Sequence, residues 1–203
     1  MTDEDVLPII QCGDPVLRRA AEPVDPAELR TPRLQRLIAQ MRATMQAAPG
    51  VGLAAPQVGV SLQLAVMQDD PERWGHLNEE ELAARERHGL PFTVLVNPAV
   101  TPVDGDGLAG FYEGCLSVAG LAAVVARYRA VRVSALDEHG EPVDRTLHGW
   151  PARIVQHEAD HLGGRLYLDR AEARSLTTAD NYARLWAGRP PADAAAALGF
   201  TLR

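Results

Sequence analysis

The stretch Trp150-Pro151-Ala152-Arg153-Ile154-Val155-Gln156-His157-Glu158-Ala159-Asp160-His161-Leu162-Gly163-Gly164 reads as one helix. Proline suits the first helical position, where its missing N–H would be unpaired anyway, so Pro151 marks the start. Gly163-Gly164 marks the stop, because glycine enters the left-handed turn that ends helices without steric cost. Upstream, the runs at 62–67, 92–96, 124–126 and 131–136 are rich in valine, leucine and alanine and read as strands. Asn97-Pro98 is expected to end the second of them. Glu138-His139-Gly140-Glu141 reads as a hairpin turn into a further strand at 142–147. Strands gathered ahead of a late helix predict the α+β class rather than alternating βαβ units.

Working outward, 31–48 reads as a helix. Thr31 can cap it, Pro32 fits its first position, and Leu34, Leu37, Ile38, Met41 and Met45 make an apolar stripe. Pro49-Gly50 is expected to stop it. The polar segment 69–89 reads as an excursion from the core, with a surface helix at 78–87. A helical region is expected at 169–187, broken at Arg189-Pro190-Pro191 and followed by a short helix at 192–198. The whole, 1–203, is expected to be one domain, with 69–89 a surface insertion and 170–203 a C-terminal helical extension.

Composition narrows the function classes. The chain has 203 residues, 46% apolar and 23% charged, as expected of a soluble domain with a full core. No apolar run is long enough to span a bilayer. The acidic start Met1-Thr2-Asp3-Glu4-Asp5 lacks the pattern of a secretory signal. Two cysteines, Cys12 and Cys115, cannot build a disulfide framework. A cytoplasmic protein is therefore expected. A net charge of −7 argues against a nucleic-acid surface, which needs a basic stripe. All 20 basic residues are arginine. That uniformity reads as codon bias, so no single arginine is taken as functional at this level.

The helix carries the chemistry. Residues i and i+4 share a helical face, so His157 and His161 can hold one cation between them. Imidazole suits divalent transition metals. Glu158 can reach a metal-bound water rather than the metal. Two solvated histidines would be the simpler reading, but apolar Ile154, Val155 and Leu162 flank the pattern. A catalytic site needs a third protein ligand and an open position. Cys115, His148, His139, Asp160 and Glu172 are the candidates. Cys115 is favoured by its setting at a strand edge after Gly114, and because thiolate binds such metals well.

Three segments together resemble one family, the peptide deformylases. Gly50-Val51-Gly52-Leu53-Ala54-Ala55-Pro56-Gln57, Glu113-Gly114-Cys115-Leu116-Ser117 and Gln156-His157-Glu158-Ala159-Asp160-His161 match its motifs in order, and Gly13-Asp14-Pro15-Val16-Leu17-Arg18 is similar to its N-terminal signature. The resemblance implies antiparallel sheets surrounding the motif helix. It implies one divalent metal on Cys115, His157 and His161, with Fe(II) the metal in cells and Zn, Ni or Co able to substitute. It implies removal of the formyl group from N-formylmethionyl nascent peptides, with release of formate, by a metal-bound hydroxide. Glu158 would carry the proton. Gln57 and the Leu116 N–H would stabilise the oxyanion.

The peptide is expected to pair in extended form along Gly50, Val51, Gly52 and Gly114, as an added strand. Trp150 and Ile154 are expected to line the methionine pocket, although core packing would place them equally well. The chain departs from the commoner family pattern at Ala119, in Gly120-Leu121-Ala122-Ala123 where an arginine often follows, and at Leu162-Gly163-Gly164. A zinc endopeptidase would share the helix, but Gln57 and Cys115 argue for the deformylase. A non-catalytic binder of acylated N-termini is opposed by the intact Glu158, and a structural zinc site by the lack of a fourth ligand. The five arginines against three acidic residues over 170–203 leave room for weak ribosome docking. No membrane contact and no sequence-specific nucleic-acid binding are expected.

Overall fold

The period-2 alternation of the strand residues decides how the layers stack. In the computed structural model, which describes residues 6–48, 50–75 and 77–202, the strands are β1 (Gly52–Ala54), β2 (Leu64–Asp69), β3 (Leu90–Pro102), β4 (Leu108–Cys115), β5 (Val118–Tyr128), β6 (Ala130–Leu136), β7 (Pro142–His148) and β8 (Thr177–Thr178). They form two antiparallel sheets, ordered β1-β2-β3-β6-β7 and β4-β5-β8. The helices are α1 (Pro32–Ala47), α2 (Glu79–Ala84), α3 (Gly149–Leu162), α4 (Ala179–Asn181) and α5 (Pro191–Leu198).

Leu64 and Val66 of β2, with Val94 and Val96 of β3, pack against the α1 stripe of Leu34, Ile38, Met41 and Met45. The intervening Met67 and Leu95 turn to the opposite face and pack with Ala152, Ile154 and Val155 of α3. Alternate residues thus feed two cores through one sheet. Beyond α3 lies a third core, Leu17, Val118, Ala123, Val125, Leu166 and Tyr167, under the smaller sheet. The motif helix α3 touches strands of both sheets, which sets His157 and His161 at the seam between them.

Several boundaries differ from expectation. The second strand does not end at Asn97-Pro98: β3 runs on to Pro102 through a bulge between Val96 and Ala99. Asn97 takes the left-handed conformation, φ 51°. Its side chain accepts from the Val24 N–H (2.8 Å) and donates to the Val24 carbonyl (2.9 Å), which stabilises the bulge. The motif helix begins earlier, with Gly149 and Trp150 ahead of Pro151. The region 169–187 is not one helix. Thr177 and Thr178 form β8 against Ala122 and Leu121, and only short helical turns flank them. Met1 to Asp5, Pro49, His76 and Arg203 lie outside the described residues, and with them the acidic start and the expected Pro49 stop.

Candidate active site

The turn spacing of α3 brings the His157 and His161 rings to 5.2 Å between centroids. Across from them, β4 and β5 form a tight hairpin with Leu116 and Ser117 at its tip, and Cys115 pairs with Val118. This sets the thiol against the helix: Cys115 Sγ lies 3.2 Å from His161 Nε2. One donor atom from each of Cys115, His157 and His161 falls within 4.8 Å of the other two. The other sequence candidates stand elsewhere. His148 lies 3.9 Å from Asp106 and His139 is on the surface beside Glu138. Glu172 caps a turn at Arg174, and Asp160 is occupied by Arg127, Arg165 and Arg170.

The electrostatics of these three donors fit a cation. Burial foremost, with His157 alongside, pushes the His161 pKa down to about 3, so that ring is the neutral imidazole a metal needs. Burial opposes charge on His157 as well, yet Cys115 and Glu113 outweigh it and raise that pKa to about 10. Thiol and carboxylate therefore favour positive charge at this point.

Glu113 orients His157. Its Oε2 lies 2.9 Å from His157 Nδ1, which leaves Nε2 to face the cluster. The same carboxylate accepts from Arg127 (2.8 and 2.9 Å) and from Arg153 (2.5 Å). Burial alone would raise its pKa most, but these guanidinium groups hold it well below the usual carboxylate range. Asp160 hydrogen-bonds neither His157 nor His161 among the described residues. It accepts from Arg127 at 2.6 Å and so acts one step further out. Arg127 and Arg153 are functional neighbours that sequence reasoning missed. Arg153 sits one helical turn before His157, and that i−4 spacing was the available signal; the uniform use of arginine concealed it.

Glu158 is 4% exposed, and its Oε2 finds no hydrogen-bond partner among the described residues. Burial pushes its carboxyl up to about 7. It lies against Gly52, where a Cβ would collide with the carboxylate. Gln57 is 2% exposed. Its Oε1 accepts from the Ala54 N–H at 2.8 Å, which forces its NH2 toward Ser117 Oγ (3.2 Å) and Cys115 Sγ (3.6 Å). Leu116 turns its carbonyl outward to accept from Gln11 at 2.9 Å.

The glycine segments converge here too. A Cβ on Gly50 would come within 2.8 Å of Leu116 Cδ1. The strand of Gly52 is one edge of the larger sheet, and that of Gly114 is an edge of the smaller one. Two edge strands thus flank the cluster. Trp150 is half-buried and meets Phe111 edge-on at 6.2 Å, with Val51 packed on the same core. Ile154 is 4% exposed and belongs to that core itself.

A family profile described as polypeptide deformylase matches residues 6–176. Peptide deformylase 1 of Streptomyces coelicolor is 56% identical over 196 residues, spanning 97% of this chain and 87% of that protein. Peptide deformylase 1 of Bifidobacterium longum is 47% identical over 200 residues, spanning 98% of this chain and 88% of that one. Among solved structures, a class I type b peptide deformylase from Acinetobacter baumannii with Met-Ala-Ser bound superposes with a TM-score of 0.72 at 36% identity, covering 81% of this chain and 98% of that one. Fold, site and relatives agree: the chain belongs to the polypeptide deformylase family, metal-dependent hydrolases that remove the formyl group from N-formylmethionyl peptides.

Proposed function

We propose that Cys115, His157 and His161 are the metal ligands, that Glu158 is the acid–base residue, and that Gln57 and the Leu116 N–H bind the oxyanion. The observation that carries this is the close Cys115–His157–His161 donor set with Glu158 buried beside it. A bound divalent cation there would supply an acidified water and polarise the formyl oxygen. Fe(II) is the proposed working metal. Zn, Ni or Co can replace it, because this donor set does not exclude the more tightly bound ions.

Glu158 takes the proton of the attacking water and returns it to the departing amine. Burial favours the protonated carboxyl, which suits a group that must hold a proton between those two steps. Gln57 cannot rotate without losing its bond from Ala54, so its NH2 is preorganised for developing negative charge. The peptide enters as an added strand between the Gly50-Val51-Gly52 edge and the Gly114 edge; a structural relative from Acinetobacter binds the tripeptide Met-Ala-Ser. Its methionine side chain lies toward Val51, Phe111 and Trp150, with Ile154 behind them.

The chain acts as a single deformylase domain, 1–203, in the cytoplasm. No helix among the described residues is long and apolar enough to cross a membrane. Segment 69–89 is the insertion, and 170–203 the extension through which any ribosome docking would run. The test is paired metal analysis and formate release from formyl-Met-Ala-Ser. Cys115→Ala and His161→Ala should each lose metal and turnover together; full metal occupancy in either variant would remove that residue from the ligand set.

A further inference from the structure

We propose that Arg87, anchored by Asp69, is a specificity-determining positioning residue that fixes Trp150 and closes the outer side of the methionine pocket. The inference rests on the reading of Trp150 as a wall of that pocket.

Asp69 ends β2 with its side chain 2% exposed. Its carboxylate accepts twice from Arg87, each at 2.8 Å, and once from Trp74 Nε1 at 2.8 Å. The insertion is therefore closed at its two ends by a buried bidentate pair, in which both partners lose freedom together. The paired guanidinium then lies 5.3 Å from the Trp74 ring and 5.3 Å from the Trp150 ring. Arg85 adds a second cation 5.4 Å from Trp150, and Glu81 lies 3.7 Å from it. All three guanidinium–ring distances are within cation–π range.

The docking extends to backbone. Glu86 has φ 47°, and its carbonyl accepts from the Trp150 N–H at 3.4 Å. A Cβ on Gly149 would collide with Glu86, so the contact requires the glycine. Arg129 pairs with the Glu86 carboxylate. The Trp150 indole N–H has no acceptor among the described residues. Packing and three guanidinium groups, those of Arg85, Arg87 and Arg153 (the last 5.7 Å from the ring), are thus what hold the ring. Arg87 also lines a cavity of about 480 Å³ together with Gly50, Val51, Gln68, Asp70 and Arg73. That cavity adjoins the strand edge along which the peptide is proposed to lie. Arg87 thus lines the cavity and also lies against Trp150.

A segment that only decorated the surface would leave substrate discrimination untouched. The holoenzyme is assayed with formyl-Met-Ala-Ser and formyl-Leu-Ala-Ser, alongside metal content and a thermal melt. Arg87→Met should raise KM for the methionine peptide about three- to tenfold, with kcat moving less and metal content unchanged. The preference for methionine over leucine should fall by a similar factor. Arg85→Ala, which leaves the Asp69 pair intact, should shift KM in the same direction without altering the melt. Unchanged KM and preference in both variants would overturn the proposal. Trp150→Ala separates the two levels: if it too leaves KM alone, the pocket reading fails, whereas a raised KM there with none in the arginine variants defeats the Arg87 inference by itself.

Discussion

Glu113 ties together more of the site than any other side chain, since one carboxylate faces a ligand histidine and two arginines. Glu113→Gln should weaken metal binding about 10–100-fold, as expected when a ligand imidazole loses its orienting acceptor. Competition with a chelator of known affinity measures it, and an unchanged affinity would reduce Glu113 to a structural ion-pair partner. Gly52 makes a second residue-level case. Gly52→Ala forces the Glu158 carboxylate aside, costing about 1–3 kcal/mol of stability and most of the turnover. Denaturant unfolding and formate release on the same sample check it; normal turnover would mean Glu158 has room to spare. The histidine pair of the donor cluster was legible because helical spacing alone faces His157 toward His161. The arginines were not: the i−4 spacing of Arg153 was lost among twenty arginines, and Arg127 is recognised only by the carboxylates it meets across the fold.

At the scale of elements, local signals and non-local pairing competed. α1 was readable from its apolar stripe and its N-terminal cap, Thr31 accepting from the Leu34 N–H, and α3 from its proline start and glycine stop. β3 ran past Asn97-Pro98 because Asn97 bonds Val24, 73 residues away, and no local rule reports that. β8 exists only because Thr177 and Thr178 meet Ala122 and Leu121. Asn97→Ala should therefore destabilise the fold by about 1–3 kcal/mol, from two lost hydrogen bonds and a left-handed alanine. Turnover per folded molecule should stay close to that of the parent. Urea midpoints test the first part, and no shift would mean the bulge holds itself.

For the whole molecule, the decisive arrangement is α3 between two sheets, each presenting an edge strand beside the Cys115–His157–His161 cluster. A cation that binds only the native state stabilises all of it. At a hundred times its dissociation constant the gain is about 2.7 kcal/mol, or roughly 5–10 °C in Tm for a domain of this size. Chelation should lower Tm by that amount and readdition restore it; an unchanged melt would place the metal outside the folded core. The account as a whole turns on Glu158 acting on a metal centre that exists without it. Its most direct test is Glu158→Gln, assayed for metal content and for formate release from formyl-Met-Ala-Ser. We expect full metal occupancy with turnover reduced about 10²–10⁴-fold. Near-normal formate release at full occupancy would contradict it.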